Sequence, residues 1–318
     1  MTITGICGII YTISAQSVLK HNKERLLLKI YRAHYVLKGD DMIRILVDSA
    51  SDLRSEDGIF DYYMPLNIEL CGVGYRDGVD INADSFYEKL TATKEFPKTS
   101  CPAPQDFTVV FEEVKAKGDQ LICFSISSAL SGTYQCAMLA KETVDYDGIY
   151  VIDTLAVTHM IGYLARLAVK MRDEGKSAHE IVSACEELKK RIRIFAGADT
   201  LEYLRRGGRL NNASAFVGEL VKIKPVVTVT PHGKVDAVGK CLGRAKAMKF
   251  IVDGISASNV DESFPVYSLY SYGEENCGEL EKKLAAAGVD IKGRLQVGST
   301  IGAHVGGGVF GVVWIEKA

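Results

Sequence analysis

What this chain has little of narrows the field first. Proline is scarce, at 7 of 318 residues, while 47% of residues are hydrophobic and 25% charged, so neither a disordered chain nor a collagen-like repeat fits. Charge of one sign is not in excess. The 38 Lys and Arg stand against 40 Asp and Glu, which leaves no broad basic surface to neutralise phosphates and argues against nucleic acid as a partner. The eight cysteines come no closer together than thirteen residues, so no CxxC spacing for zinc or redox chemistry exists. They read as reduced cytoplasmic thiols, several in apolar runs such as Leu121-Ile122-Cys123-Phe124. A Walker phosphate loop, HExxH and G-x-S-x-G are all missing, and no paired metal-ligand spacing replaces them. Repeats and heptads are missing too, which removes solenoids and coiled coils.

Residues 1–19 carry no charge, and residues 20–38 then bring six basic side chains against Glu24 alone. Threonines and serines dilute the apolar stretch and no basic segment precedes it, so stable membrane insertion is not expected. Residues 1–41 read as an extension or an overlong start, with the folded body opening at Met42. That body, residues 42–318, is mildly acidic, with 32 basic and 37 acidic side chains.

The length predicts two domains. From Met42, short apolar runs (Ile43–Val47, Leu66–Cys71, Leu121–Ile126, Ile149–Ile152) alternate with amphipathic segments, the pattern of an α/β fold with a mostly parallel sheet covered by helices. After Pro104, Phe107, Val110, Phe111 and Val114 share one helical face. Leu155–Arg172 carries a second stripe through Met160, Leu164 and Ala168. Beyond Arg193 the rhythm changes. Pro225–Thr230 and Lys234–Gly239 flank the turn Pro231-His232-Gly233, which predicts an antiparallel hairpin and a mixed α/β second domain. The expected division is 42–194 and 195–318.

Chemistry concentrates in loops rich in small hydroxyl residues. Ser127-Ser128-Ala129-Leu130-Ser131-Gly132-Thr133 follows an apolar strand and enters a helix, where free N–H groups and hydroxyls suit a carboxylate or phosphate; the same hydroxyls serve equally as caps. Lys98-Thr99-Ser100-Cys101-Pro102 also precedes a helix, and Asp48-Ser49-Ala50-Ser51-Asp52 ends the first strand. Loops at the carboxyl ends of α/β strands can converge on one crevice. His304 stands among glycines from Gly298 to Gly311, which reads as a position outside any helix, ready to donate to a carboxylate. A dinucleotide fingerprint does not fit, because these glycines precede a strand rather than follow one. Arg205, Arg206 and Arg209 surround the turn Gly207-Gly208, either as solvated charge or as a surface for phosphate or an acidic partner.

Taken in order, Val47–Leu53, Lys98–Pro102, Ser127–Tyr134, the Leu204–Leu210 loop and the His304 glycine cluster resemble the DegV family along the whole body, 42–314. The resemblance implies a two-domain fold holding a long-chain fatty acid between the domains. It implies that Thr99, Ser100, Ser127, Ser128 and His304 bind the carboxylate, with Asp48, Ser49, Gly132 and Thr133 in supporting loops. It also implies a carrier that presents the acid to a separate fatty acid kinase for conversion to acyl phosphate. Arg205 and Arg206 are then expected to dock the kinase, with Arg209 structural. No metal or cofactor beyond the fatty acid ligand is expected. The alternative is a phosphotransferase or hydrolase related to the dihydroxyacetone kinase fold, with Ser128 as nucleophile and His304 as base. Cys101 stands where the family usually has Gln, and Gly307 where it has Pro.

Overall fold

The computed structural model describes residues 42–211 and 223–318. The extension read over 1–41 lies outside the described residues.

The first sheet is parallel, ordered β2-β1-β6-β7, from β1 (Ile43–Asp48), β2 (Tyr62–Met64), β6 (Gln120–Ser125) and β7 (Ile149–Asp153). Ile45, Leu46 and Val47 have no exposed surface, as a strand covered on both faces requires, so its apolar run shows no alternation. The helices are α2 (Pro104–Lys117), α3 (Thr133–Val144), α4 (His159–Asp173) and α5 (Ala178–Leu188). Phe107, Phe111 and Val114 of α2 are fully buried, as their spacing predicts, with Pro104 in the first turn and Gly118 closing the helix at φ 71°. Ser177 caps α5, and Glu180 returns the bond in a capping box.

The second sheet is mixed, ordered β10-β9-β8-β13-β11-β12. It contains β8 (Ile192–Gly197), β9 (Ile223–Val229), β10 (Val235–Leu242), β11 (Val266–Tyr270), β12 (Ile291–Gln296) and β13 (Phe310–Ile315). The predicted hairpin is β9–β10, paired antiparallel from Val229↔Val235. Helices α7 (Arg244–Ser256) and α8 (Glu275–Ala286) cover this sheet through Met248, Ile251, Leu280 and Leu284. The boundary read near residue 194 falls inside β8, and the largest buried cluster runs from Ile45 and Phe124 to Ile194, Val227 and Val313.

Several elements escape the sequence pattern. Strands β4 (Val73–Arg76) and β5 (Lys98–Ser100) flank β3 (Asn67–Leu70) in a small antiparallel sheet, so the run Leu66–Cys71 is a strand as read but lies outside the parallel sheet. The short helices α1 (Ala83–Thr91), α6 (Glu202–Arg206) and α9 (Ser299–Val305) also appear. Arg205 and Arg206 therefore stand in the last turn of a helix, not on a free turn, and His304 belongs to a helix despite its glycine neighbours. The α9 start is held by Asp77, whose carboxylate accepts from both the N–H (3.0 Å) and the hydroxyl (2.6 Å) of Thr300. Among the described residues no helix is long and apolar enough to cross a membrane.

Candidate functional site

A cavity of about 270 Å³ opens where loops after β6 and β7, strands β8, β9 and β11, and helix α9 face one another. Its walls are mainly aliphatic, with Ile126, Val157, Ile194, Val227, Leu269 and Ile301 all buried. Three threonines that border it turn their hydroxyls into the protein. Thr158 donates to Asp52 (2.5 Å), Thr300 to Asp77 (2.6 Å) and Thr228 to the Ile194 carbonyl (2.7 Å). Their hydroxyl protons are spent on protein acceptors rather than offered to the cavity.

One end differs. Strand β5 pairs Thr99 with Ile68 of β3, and the Thr99 hydroxyl lies 2.7 Å from His304 Nε2. His304 Nδ1 is buried without a hydrogen-bond partner, against Gly207, where an added Cβ would collide with it. The tautomer that avoids an orphaned N–H places the proton on Nε2, donating to Thr99 Oγ1 and leaving the Thr99 proton free for a ligand. Burial, aided by Arg209, pushes the His304 imidazole down to about 4, so it is neutral near pH 7 rather than the charge-sharing group expected from an unperturbed histidine.

Arg209 closes this end. Its Nε donates to the Leu130 carbonyl (3.0 Å), its Nη1 donates to the Gly207 carbonyl, and among the described residues it forms no ion pair. Leu130 leads into Ser131 and Gly132, which also border the cavity beside Thr99, Ser100 and Cys101. Ser131 Oγ is 2.8 Å from Thr133 Oγ1, and Gly132 opens α3, whose first N–H groups lack intrahelical acceptors. A half-buried guanidinium without a carboxylate partner among the described residues, two hydroxyls and a helix start gather at this end the kinds of donor that suit an anion.

The structure divides the residues expected from sequence. Thr99, Ser100, Gly132 and His304 border the cavity; Ser127 and Ser128 do not. Ser127 Oγ donates to the Gly233 carbonyl (2.8 Å), and Ser128 Oγ donates to Asp153 (2.5 Å), so both hydroxyls are occupied by protein acceptors. Ser131 is the serine of that motif which reaches the cavity. No hydrogen bond links Ser128 with His304, the pair that the enzyme alternative requires. Arg209, expected to be structural, is the arginine of its loop at the cavity, whereas Arg205 and Arg206 are exposed and bonded to Glu202.

Asp48 and Ser49 support the loops. Asp48 accepts from the N–H groups of Ala50 (3.0 Å) and Ile126 (2.7 Å), tying the ends of β1 and β6 together, and Ser49 Oγ lies 3.2 Å from Thr300 Oγ1. Burial pushes the Asp48 carboxyl up to about 7, and buried Asp52 and Asp77 move in the same direction. A carboxyl raised in the folded state contributes stability that is fully present below its unfolded pKa and lost as pH rises through the folded value. His159 and His304, both pushed down to about 4 by burial, act oppositely, and the end of their gain overlaps the Asp48 loss because the unfolded imidazoles still titrate near 6.5. The difference between the unsubstituted chain and Asp48→Asn isolates the carboxyl. Urea unfolding is expected to show the unsubstituted chain losing about 1 kcal/mol relative to Asp48→Asn between pH 6.5 and 8. A difference between the two that does not change with pH would contradict the assignment.

Comparison with known proteins agrees with this architecture. The family model described as uncharacterised protein, DegV family, matches residues 42–317. A DegV domain-containing protein from Caldanaerobacter subterraneus is 36% identical over 283 residues, covering 87% of this chain and all of the relative. Among solved structures, a DegV family protein from Thermus thermophilus described by its fatty acid binding is 31% identical, with a TM-score of 0.78 over 87% of this chain and all of that one. A stearic acid-binding protein from Eubacterium ventriosum is also 31% identical, with a TM-score of 0.79 over 87% of this chain and 99% of its own. With a family model spanning nearly all of 42–318, an identity above 30% over a full-length relative and the same α/β fold, this chain belongs to the DegV family.

Proposed function

We propose that the protein binds a long-chain fatty acid in the cavity and acts in the cytoplasm as its carrier. The observation that carries this reading is the cavity's polarity: aliphatic walls, with one end that holds Arg209, unpaired among the described residues, beside Thr99 and His304. The carboxylate accepts from Thr99 Oγ1 and Arg209, with Ser100, Ser131 and the Gly132 turn as further donors. His304 orients Thr99. Ser127 and Ser128, both implied by the family resemblance, act one layer behind as braces of the loop. The fatty-acid-binding relatives support the ligand class. Mass spectrometry of lipid extracted from the purified protein tests the reading. A stoichiometric fatty acid is expected, and a protein that neither carries lipid nor takes up palmitate would refute it.

The carrier presents the carboxylate to a separate fatty acid kinase, which converts it to acyl phosphate. Arg205 and Arg206 are the docking candidates, since both are exposed on α6 close in sequence to Arg209. Their charge is partly balanced by Glu202, and the Arg206 guanidinium lies 4.1 Å from the Phe96 ring centroid, which fixes its orientation. The double substitution Arg205→Ala, Arg206→Ala is expected to leave palmitate affinity nearly unchanged and to slow kinase-dependent phosphorylation roughly tenfold, with a smaller effect at high salt. Equal loss of both activities would assign the arginines to the lipid site or the fold instead.

A further inference from the structure

One residue of the cavity wall, Cys101, meets a second sulfur that sequence spacing does not bring near it. Cys101 and Cys136 are 35 residues apart, yet their Sγ atoms are 3.8 Å from each other, and both are free, half-buried thiols. Cys101 ends the segment that carries Thr99 and borders the cavity. Cys136 lies one turn into α3, its N–H bonded to the Gly132 carbonyl (3.0 Å). A Cβ built at Gly132 would lie 3.4 Å from Cys101 Sγ, an ordinary van der Waals contact, which places the sulfur against the start of α3. Cys123, Cys185, Cys241 and Cys277 are buried as small hydrophobes, and Cys71 is exposed.

We propose that Cys101 and Cys136 form a reversible disulfide that staples the Thr99–Cys101 segment to the first turns of α3 and thereby weakens carboxylate binding at the polar end of the cavity. Bond formation closes the sulfurs from 3.8 Å to ~2.05 Å, and the part of the movement that side-chain rotation does not supply is absorbed by the β5 end or by α3. Either displacement changes the spacing between Thr99, which is held to His304, and the Ser131-Gly132 turn.

A low-molecular-weight disulfide is the co-reactant. The Cys101 thiolate attacks one of its sulfurs, forming a mixed disulfide and expelling a thiolate. Cys136 passes its proton to that thiolate, and its sulfur attacks the Cys101 sulfur, releasing the second small thiol. The two protein thiols lose two electrons and two protons, and the small disulfide gains both. Burial and the neighbouring Cys101 push the Cys136 thiol up to about 11, which suits it to the second step rather than the first.

The test uses the full chain, equilibrated with oxidised glutathione and freed of it by gel filtration. Peptide mapping is expected to find a Cys101–Cys136 crosslink that dithiothreitol reverses, whereas Cys136→Ser is expected to stop at a glutathione adduct on Cys101. Separate adducts on both residues of the unsubstituted chain, or two unreacted thiols, would overturn the proposal. Palmitate affinity of the crosslinked form is then compared with that of the reduced form. This arm rests on the fatty acid reading, and the crosslink does not. A decrease of about fivefold or more is expected, and equal affinities would overturn the coupling. If neither form binds palmitate, the carrier reading fails and the claim of weakened binding falls with it, even where the crosslink is found.

Discussion

Replacing Arg209 with methionine is expected to weaken fatty acid binding by about 30-fold to several thousandfold, the range for removing one partner of a desolvated, hydrogen-bonded charge pair. Methionine keeps an unbranched apolar stem, so the change isolates the guanidinium. Arg209 is suited to this role because two of its donors are already directed, Nε to Leu130 and Nη1 to Gly207, so the fork is held before the ligand arrives. Little side-chain entropy remains to be lost on binding. Thr99→Val removes one hydroxyl of the same shape and is expected to cost less, roughly tenfold to a hundredfold, the worth of one hydrogen bond to a charged group. The loss of the Leu130 contact would also lower stability, so unfolding of the ligand-free protein must be measured alongside affinity. A large affinity loss in a variant that is still fully folded under the binding conditions assigns Arg209 to the ligand. An unchanged affinity would remove the anion site from the cavity.

How far the sequence reveals such a site depends on the range of the interactions that build it. The stripe Phe107–Val114 and the β9–β10 hairpin are legible because apolar periodicity and turn chemistry are local. Strand β5 is not, since Lys98-Thr99-Ser100 has no apolar pattern and becomes a strand through pairing with Asn67–Glu69 of β3. Helix α9 is hidden for a related reason. Gly302 disfavours a helix intrinsically, only seven residues separate the capping Gly298 and Gly306, and the buried Asp77 cap, far away in sequence, supplies the compensation. The serines show the limit most clearly. Ser128 and Ser131 are chemically equivalent in the motif, and what distinguishes them is Asp153, which accepts from both the N–H (3.0 Å) and the hydroxyl (2.5 Å) of Ser128. Arg209 likewise owes its position to a carbonyl 79 residues earlier. Motif order identifies the family and the loops, and long-range hydrogen bonds decide which side chains within those loops face the cavity.

Affinity for saturated fatty acids is expected to rise about fourfold for each added methylene, because burying one CH₂ contributes ~0.8 kcal/mol. Lauric acid and palmitic acid differ by four such groups, so about 3 kcal/mol, or a factor near 200, separates them if the whole tail enters. The aliphatic wall makes this possible: the side chains of Ile194, Val227 and Leu269 offer no polar atom that water could keep, and Thr158, Thr228 and Thr300 direct their hydroxyl protons to protein acceptors. The rise must end when the cavity is full. At about 270 Å³ the cavity lies near the lower end of the ~300–1,000 Å³ typical of small-molecule sites, so the plateau is expected among common long-chain acids rather than beyond them. Combining this series with Arg209→Met separates head from tail. Groups well apart contribute additively, so the substitution should lower affinity by the same factor at every chain length, giving parallel lines of log Kd against carbon number. Displacement of a fluorescent fatty acid by acids of eight to eighteen carbons measures both lines. A preference for short acids, or lines that converge as the chain lengthens, would mean that the tail does not occupy this cavity in the orientation set by Arg209.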